Sequence, residues 1–193
     1  SEELLELWDN FSTKHITVSI DGVGKVNEYQ RYPFSWEKVV SQLEQVKSIA
    51  REKGNYCINL SHTVTSLNIL NFAEMFKWWE SQIEEGSGII TNLPHIQCVN
   101  NLAYLDPKFM PQNMKNDVKI MLYEYEAYLE SNEELKNKYM PAIKNIRTTV
   151  LDVNIESTMQ QFNWQQMKDF LYPLDKYRKR NIIDYLPYMQ KYL

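Results

Sequence analysis

A chain of 193 residues supplies one sizeable core, or a core with a helical appendage, and one and a half domains is the ceiling. An apolar content of 44%, with thirteen tyrosines, seven phenylalanines and five tryptophans, excludes a disordered chain. The net charge of −4, from 21 basic and 25 acidic residues, excludes a general attraction to nucleic acid or to anionic membranes.

The opening SEELLELWDNF reads as a helix that runs straight into a strand, and it has neither a basic n-region nor an apolar h-region. A start at Ser1 in such a place leads us to expect a processed product, an engineered piece or a truncated reading frame. No apolar run approaches the roughly 20 residues that span a bilayer, so we expect a cytoplasmic protein with no membrane and no nucleic-acid partner. Only Cys57 and Cys98 occur, both inside apolar strand-like runs, which suits a reducing compartment and buried packing thiols.

Period-2 alternation in HITVSI predicts a strand over 15–20, and helical spacing of Trp36, Val39, Val40, Leu43, Val46, Ile49 and Ala50 predicts a helix over 35–53. A strand over 56–64, a helix over 69–85 and a short apolar run over 95–99 follow. Strands spaced about forty residues apart and separated by helices mean β-α units and a parallel sheet. After Pro107 the chain turns helical: one helix beginning near Pro111, one interrupted by Pro141, and two more to the C-terminus. We divide it into 1–106, a β/α region whose pace fits an α/β barrel or a doubly wound sheet, and 107–193, a helical region joined to it without a flexible linker.

Along the first strand Ile16, Val18 and Ile20 share one face, and Thr17, Ser19 and Asp21 the other. The second strand repeats this, with Asn59, Ser61, Thr63 and Thr65 on the polar side. Parallel strands covered on both faces read as continuous apolar runs. A polar row on consecutive strands therefore predicts an open β/α barrel of the TIM type with a wet or ligand-filled lumen; the alternative is an antiparallel sheet with one solvated face. Ligands gather at the carboxyl ends of such strands, here Asp21-Gly22 and Thr63 to Asn68, where Gly22 and Gly24 allow a tight turn and close approach of backbone N–H groups.

In VSIDGVGKVNEYQRYPFSWEKVV the chain resembles the middle of radical S-adenosylmethionine enzymes with a twitch-type C-terminal region. The likeness rests on Ser19 to Gly22, on Arg31 to Pro33, on Trp36, on Thr63 to Ile69, and on the ending LDKYRKRNIIDYLP. It is strongest over 15–38, 58–72 and 168–187. The resemblance implies that Ser19, and Arg31 twelve residues later, contact the methionine moiety of S-adenosylmethionine. A guanidinium suits a carboxylate because its donors form a fork. It further implies that Asp21 and Gly22 meet the same ligand, that Asn59, Ser61 and Thr63 line the cavity, and that Asn68 stands at its rim. Relatives hold a [4Fe-4S] cluster in a CxxxCxxC loop after their first strand; these 193 residues contain no such motif. The expectation is a cofactor-binding second half, silent without an N-terminal half that supplies the cluster, acting on a peptide or small molecule.

Two other readings stand beside it. One is a cluster-free binding or assembly module using the half barrel as an interaction surface. The other is a nucleotide-binding Rossmann-like enzyme, weakened because Asn27 stands where the third glycine of the fingerprint belongs. Residue by residue, Arg31 has the plainer role of pairing with Glu28 or Asp21. His15, His62 and His95 lack metal-ligand spacing, with His62 on an apolar face; KYRKR at 176–180 reads as a solvated helix end; and Phe162, Trp164, Phe170, Tyr172 and Tyr177 read as helix packing.

Overall fold

The computed structural model describes residues 7, 8, 10–83 and 94–193. Most of the expected opening helix, and the end of the one expected over 69–85, lie outside them.

Strands β1 (Lys14–Ser19), β2 (Tyr56–Val64) and β3 (His95–Cys98) form one parallel sheet in the order β1-β2-β3. Helices α1 (Lys25–Gln30) and α2 (Trp36–Lys53) connect the first two strands, and α3 (Phe72–Ser81) follows β2. The protein is mixed α/β with a small open sheet, and the pairing is parallel, so the antiparallel alternative is overturned.

Local chemistry sets these boundaries. Ser35 Oγ accepts from the Lys38 N–H at the start of α2, and Gly54, at φ 71°, closes it in the left-handed conformation that glycine adopts without steric cost. Glu28 Oε1 accepts from the Trp36 N–H at 2.7 Å, a second cap for the same end.

Helices α4 (Gln112–Leu129), α5 (Glu133–Ile146), α6 (Ser157–Arg178) and α7 (Ile182–Tyr185) complete the chain, with a π-helical turn at Arg147–Leu151. One of them corrects the expectation that Pro141 interrupts its helix. Pro141 lies inside α5 and Pro173 inside α6. Both prolines are exposed, as are Asn137 and Asp169, whose carbonyls lose their donors four residues on. These stretches are open to solvent, so the lost donors cost little and the helix continues.

A single core joins the first half to the second. Ile58, Leu60 and Val64 of β2, Leu43 of α2, and Phe72, Phe76 and Trp79 of α3 pack in one cluster with Val118 and Leu122 of α4, Ile143 of α5 and Met167 of α6. Burying each such side chain contributes roughly 1.5–3 kcal/mol. Glu80, at the end of α3, pins α5: Lys138 pairs with it at 2.5 Å and the Tyr139 hydroxyl donates to it.

The sheet has two unlike faces. Burial alternates residue by residue along β2, with Ile58, Leu60, His62 and Val64 buried and Cys57, Asn59, Ser61 and Thr63 only half-buried. In register with these, Thr17 and Ser19 of β1 and His95 and Gln97 of β3 are exposed. The polar row expected from the sequence is thus a partly solvated surface over Thr17, Ser19, Asn59, Ser61 and Thr63, while Asp21 and Thr65 at its end are buried. No helix among the described residues is long and apolar enough to cross a membrane.

Candidate functional site at the carboxyl ends of the strands

Where β1 ends, its backbone turns away from β2 and side chains take over the ladder. The Ile20 N–H still donates to the Ser61 carbonyl at 3.1 Å. The next amide of β2, that of Thr63, instead donates to Asp21 Oδ1 at 3.0 Å. The Ile20 carbonyl is thereby left for His62, whose Nδ1 lies 2.9 Å from it. A carbonyl only accepts, so Nδ1 carries the proton and Nε2 is the acceptor nitrogen. Nε2 has no partner among the described residues. Phe72 and Phe76 flank the ring edge-on, and burial pushes the His62 pKa below its ordinary 6.5. This histidine is a neutral core residue, as its apolar face suggested.

Asp21 also receives Arg31. The Nε–H of Arg31 donates to Oδ2 at 2.7 Å, with the arginine side chain 38% exposed and the carboxylate 11%. Both carboxylate oxygens therefore have protein donors, which makes Asp21 the anchor of Arg31 and of the strand ends. The terminal nitrogens of Arg31 have no protein partner among the described residues, so a held guanidinium presents its outer donors to an incoming group.

Asn68 is buried, not at a rim. Its Nδ2 donates to the Asp21 and Thr63 carbonyls, each at 2.8 Å, while Oδ1 accepts from the Thr65 N–H and hydroxyl. Three of its four hydrogen-bonding positions are filled outright, and the single Thr65 hydroxyl proton is shared between Asn68 Oδ1 and Gln30 Oε1. Gly22 is required by closeness: a Cβ there would lie 2.5 Å from Val26 Cγ1 and 3.0 Å from Asn71 Oδ1. Gly24, at φ 58° and ψ −127°, opens α1 in a conformation open only to glycine.

Two of the turn's amides are spent internally: Asn27 Oδ1 accepts from the Asp21 N–H and Asn71 Oδ1 from that of Val23. A dinucleotide pyrophosphate needs outward N–H groups at this point. The amides of Asp21 and Val23 are not open to that role.

Ser19 and Arg31 come together on a cavity of about 480 Å³ along the outer edge of β1, with Val18, Ile20, Phe34 and Leu43 as apolar walls. Across the register Ser61 faces Ser19, and Asn59 and Thr63 continue the row on the solvated face. Of the expected residues, Ser19 and Arg31 line this cavity, Asn59, Ser61 and Thr63 lie on the sheet face outside its lining, and Asp21, Gly22 and Asn68 build the frame behind.

The two cysteines sit on opposite faces of the sheet, Cys57 in the polar row and Cys98 beside Val64. Both are half-buried. Burial pushes the Cys98 thiol up to about 11. Their placement does not fit an iron-sulfur cluster, and among the described residues no group of three or more His, Cys, Asp or Glu could hold a metal ion.

Several residues of the site escaped the sequence reading. Gln30 Nε2 donates to the Asp21 carbonyl at 2.9 Å, and its Oε1 accepts from the Thr65 hydroxyl. Arg178 and Arg180 reach the end of α1 from the far end of the chain, so KYRKR is no merely solvated helix end. Both YQRYP and LDKYRKRN stand out in the sequence; what it lacked was a reason to pair them. No protein-family model matches the chain, and no curated protein or solved structure matches it.

Proposed function

We propose that this chain is the S-adenosylmethionine-binding second half of a radical S-adenosylmethionine enzyme, a partial β/α barrel whose solvated sheet face lines the lumen. The observation that supports this most is Arg31. Its guanidinium is held through Nε by Asp21, leaves its terminal donors unpartnered among the described residues, and shares a cavity with Ser19. A preorganised fork of this kind suits the carboxylate of an amino acid. The cavity volume of about 480 Å³ falls within the roughly 300–1,000 Å³ typical of small-molecule sites. In this reading Ser19 and Arg31 hold the methionine end, and Asn59, Ser61 and Thr63 face the rest of the ligand. The bound cofactor supplies the radical chemistry of that family. The cluster that fires it has no ligands in this chain and belongs to a CxxxCxxC loop encoded upstream.

Titration calorimetry of the chain with S-adenosylmethionine tests the reading. Charge-assisted hydrogen bonds contribute about 1.5–3 kcal/mol, so Arg31→Ala should weaken binding by roughly ten- to a hundredfold. Absent saturation, or equal affinity in the variant, would sink it. An upstream reading frame without CxxxCxxC would remove the enzyme while leaving the binding site.

A second reading is favoured by the outer edge of β1, which has no strand partner among the described residues. There the chain is a cluster-free assembly module that accepts a partner's strand, since such edges pair readily. Stable association with a strand-donating partner and no affinity for S-adenosylmethionine would select it.

A further inference from the structure

The segment after α6 returns to the first turn of the fold. Arg178 Nη1 donates to the Tyr29 carbonyl at 2.9 Å, and Arg180 Nη1 to the Glu28 carbonyl at 2.7 Å. These carbonyls belong to the last turn of α1, which has no intrahelical donors for them. Asp175 accepts from the Tyr29 hydroxyl at 2.8 Å, and Lys25 Nζ donates to the Asp184 carbonyl. Farther along, the Tyr188 hydroxyl donates to the Leu67 carbonyl at 2.6 Å, beside the loop that follows β2. One segment thus straps the loops at the ends of both β1 and β2.

The strap closes around Arg31. The Arg31 N–H ends the hydrogen bonding of α1, on the Asn27 carbonyl at 2.8 Å. Its neighbour Tyr32 presents its ring to both guanidiniums, whose central carbons lie 4.9 and 4.8 Å from the ring centre. Neither Arg178 nor Arg180 has a carboxylate partner among the described residues; they meet these carbonyls, the Tyr32 ring and, for Arg180, the ring of Tyr185. The C-terminal segment therefore holds the backbone before Arg31 and the ring of Tyr32 after it, while Asp21 holds the Arg31 side chain.

We propose that Arg178 and Arg180 are positioning residues for Arg31, so that the C-terminal motif sets the angle at which the guanidinium meets a carboxylate. The geometry stands on the contacts above; the consequence for ligand binding rests on the function proposed in the preceding subsection. Two measurements on the full chain separate them.

The first follows exchange of the Arg31 Nε–H proton by ¹⁵N NMR in Arg178→Met, Arg180→Met and the double variant, with the Leu60 amide as a reporter of global stability. Exchange at Arg31 should rise about tenfold or more in the double variant while Leu60 changes little, and Arg180→Lys should restore part of the protection. An unchanged Arg31 signal, or one that rises only in step with Leu60, overturns the proposal. Should the double variant not fold, the single variants give the same comparison.

The second compares S-adenosylmethionine with methylthioadenosine, which lacks the carboxylate. The variants should lose affinity for the first alone. Equal losses for both ligands mean a general structural effect and count against positioning. Wild-type protein that binds neither, with Arg31 exchange still responding to the variants, defeats the functional reading and keeps the positioning role.

Discussion

Lys179 is the only non-glycine residue with positive φ among those described, at 51°. It ends α6 in a Schellman turn: the Arg180 N–H donates to the Asp175 carbonyl and that of Lys179 to the Lys176 carbonyl. A left-handed L-residue costs about 1–2 kcal/mol. Lys179→Gly should therefore raise unfolding free energy by roughly 0.5–1 kcal/mol, after the larger backbone entropy that glycine loses, as read from urea denaturation. A fall in stability would mean that the Lys179 side chain has a role beyond this turn. The same strained turn swings Arg180 toward α1, and nothing in KYRKR taken alone indicates it. A charge run shows its length and sign; which carbonyl it meets depends on a chain segment about 150 residues away.

At the scale of elements, the sheet was legible and the short helix was not. The strands and α2 follow from periods of two and 3.6, carried by Ile16, Val18 and Ile20 and by Leu43, Val46 and Ala50. Helix α1 has six residues, begins at a glycine and has no side-chain cap, so no periodic signal exists to read. Its position is set by tertiary fit. Gly22→Ala places a methyl against Val26 and Asn71 and should cost about 1–3 kcal/mol in stability. Adding Val26→Ala should recover part of that loss in the same thermal melt; no recovery would place the clash at Asn71 instead. For the same reason the polar face of the strands could be read, but the roles of Asp21 and Asn68 could not. Both belong to the alternating or loop residues that suggest a ligand, and both are consumed in bonds between strand ends that exist only once the strands have met.

For the molecule as a whole, acid should act in two stages. His62 is neutral in the fold, with its pKa lowered from 6.5 by burial, so the unfolded chain takes up a proton first and stability falls as pH drops below about 6.5. The slope of that limb should approach 1.4 kcal/mol per pH unit. Asp117 is the opposite charge type with the same outcome at lower pH. Hydrogen bonds from Lys191 and Tyr192 hold its carboxyl below the usual 3.8, and its stabilising contribution is present above that value and lost as pH falls through the folded pKa. Urea midpoints measured from pH 8 to pH 3 should show both limbs. His62→Phe should remove the first and cost about 1–3 kcal/mol at pH 8, because the Ile20 carbonyl loses its donor. A first limb that survives the substitution would assign it to another group.

The two-faced sheet also separates what keeps the protein folded from what it can recognise. Its dry side is packed into one core, where a lost methylene is felt, while Thr17 and Ser19 point to water and tolerate exchange within about 0.5 kcal/mol. Selection can rewrite the wet side, residue by residue, without endangering the fold that displays it.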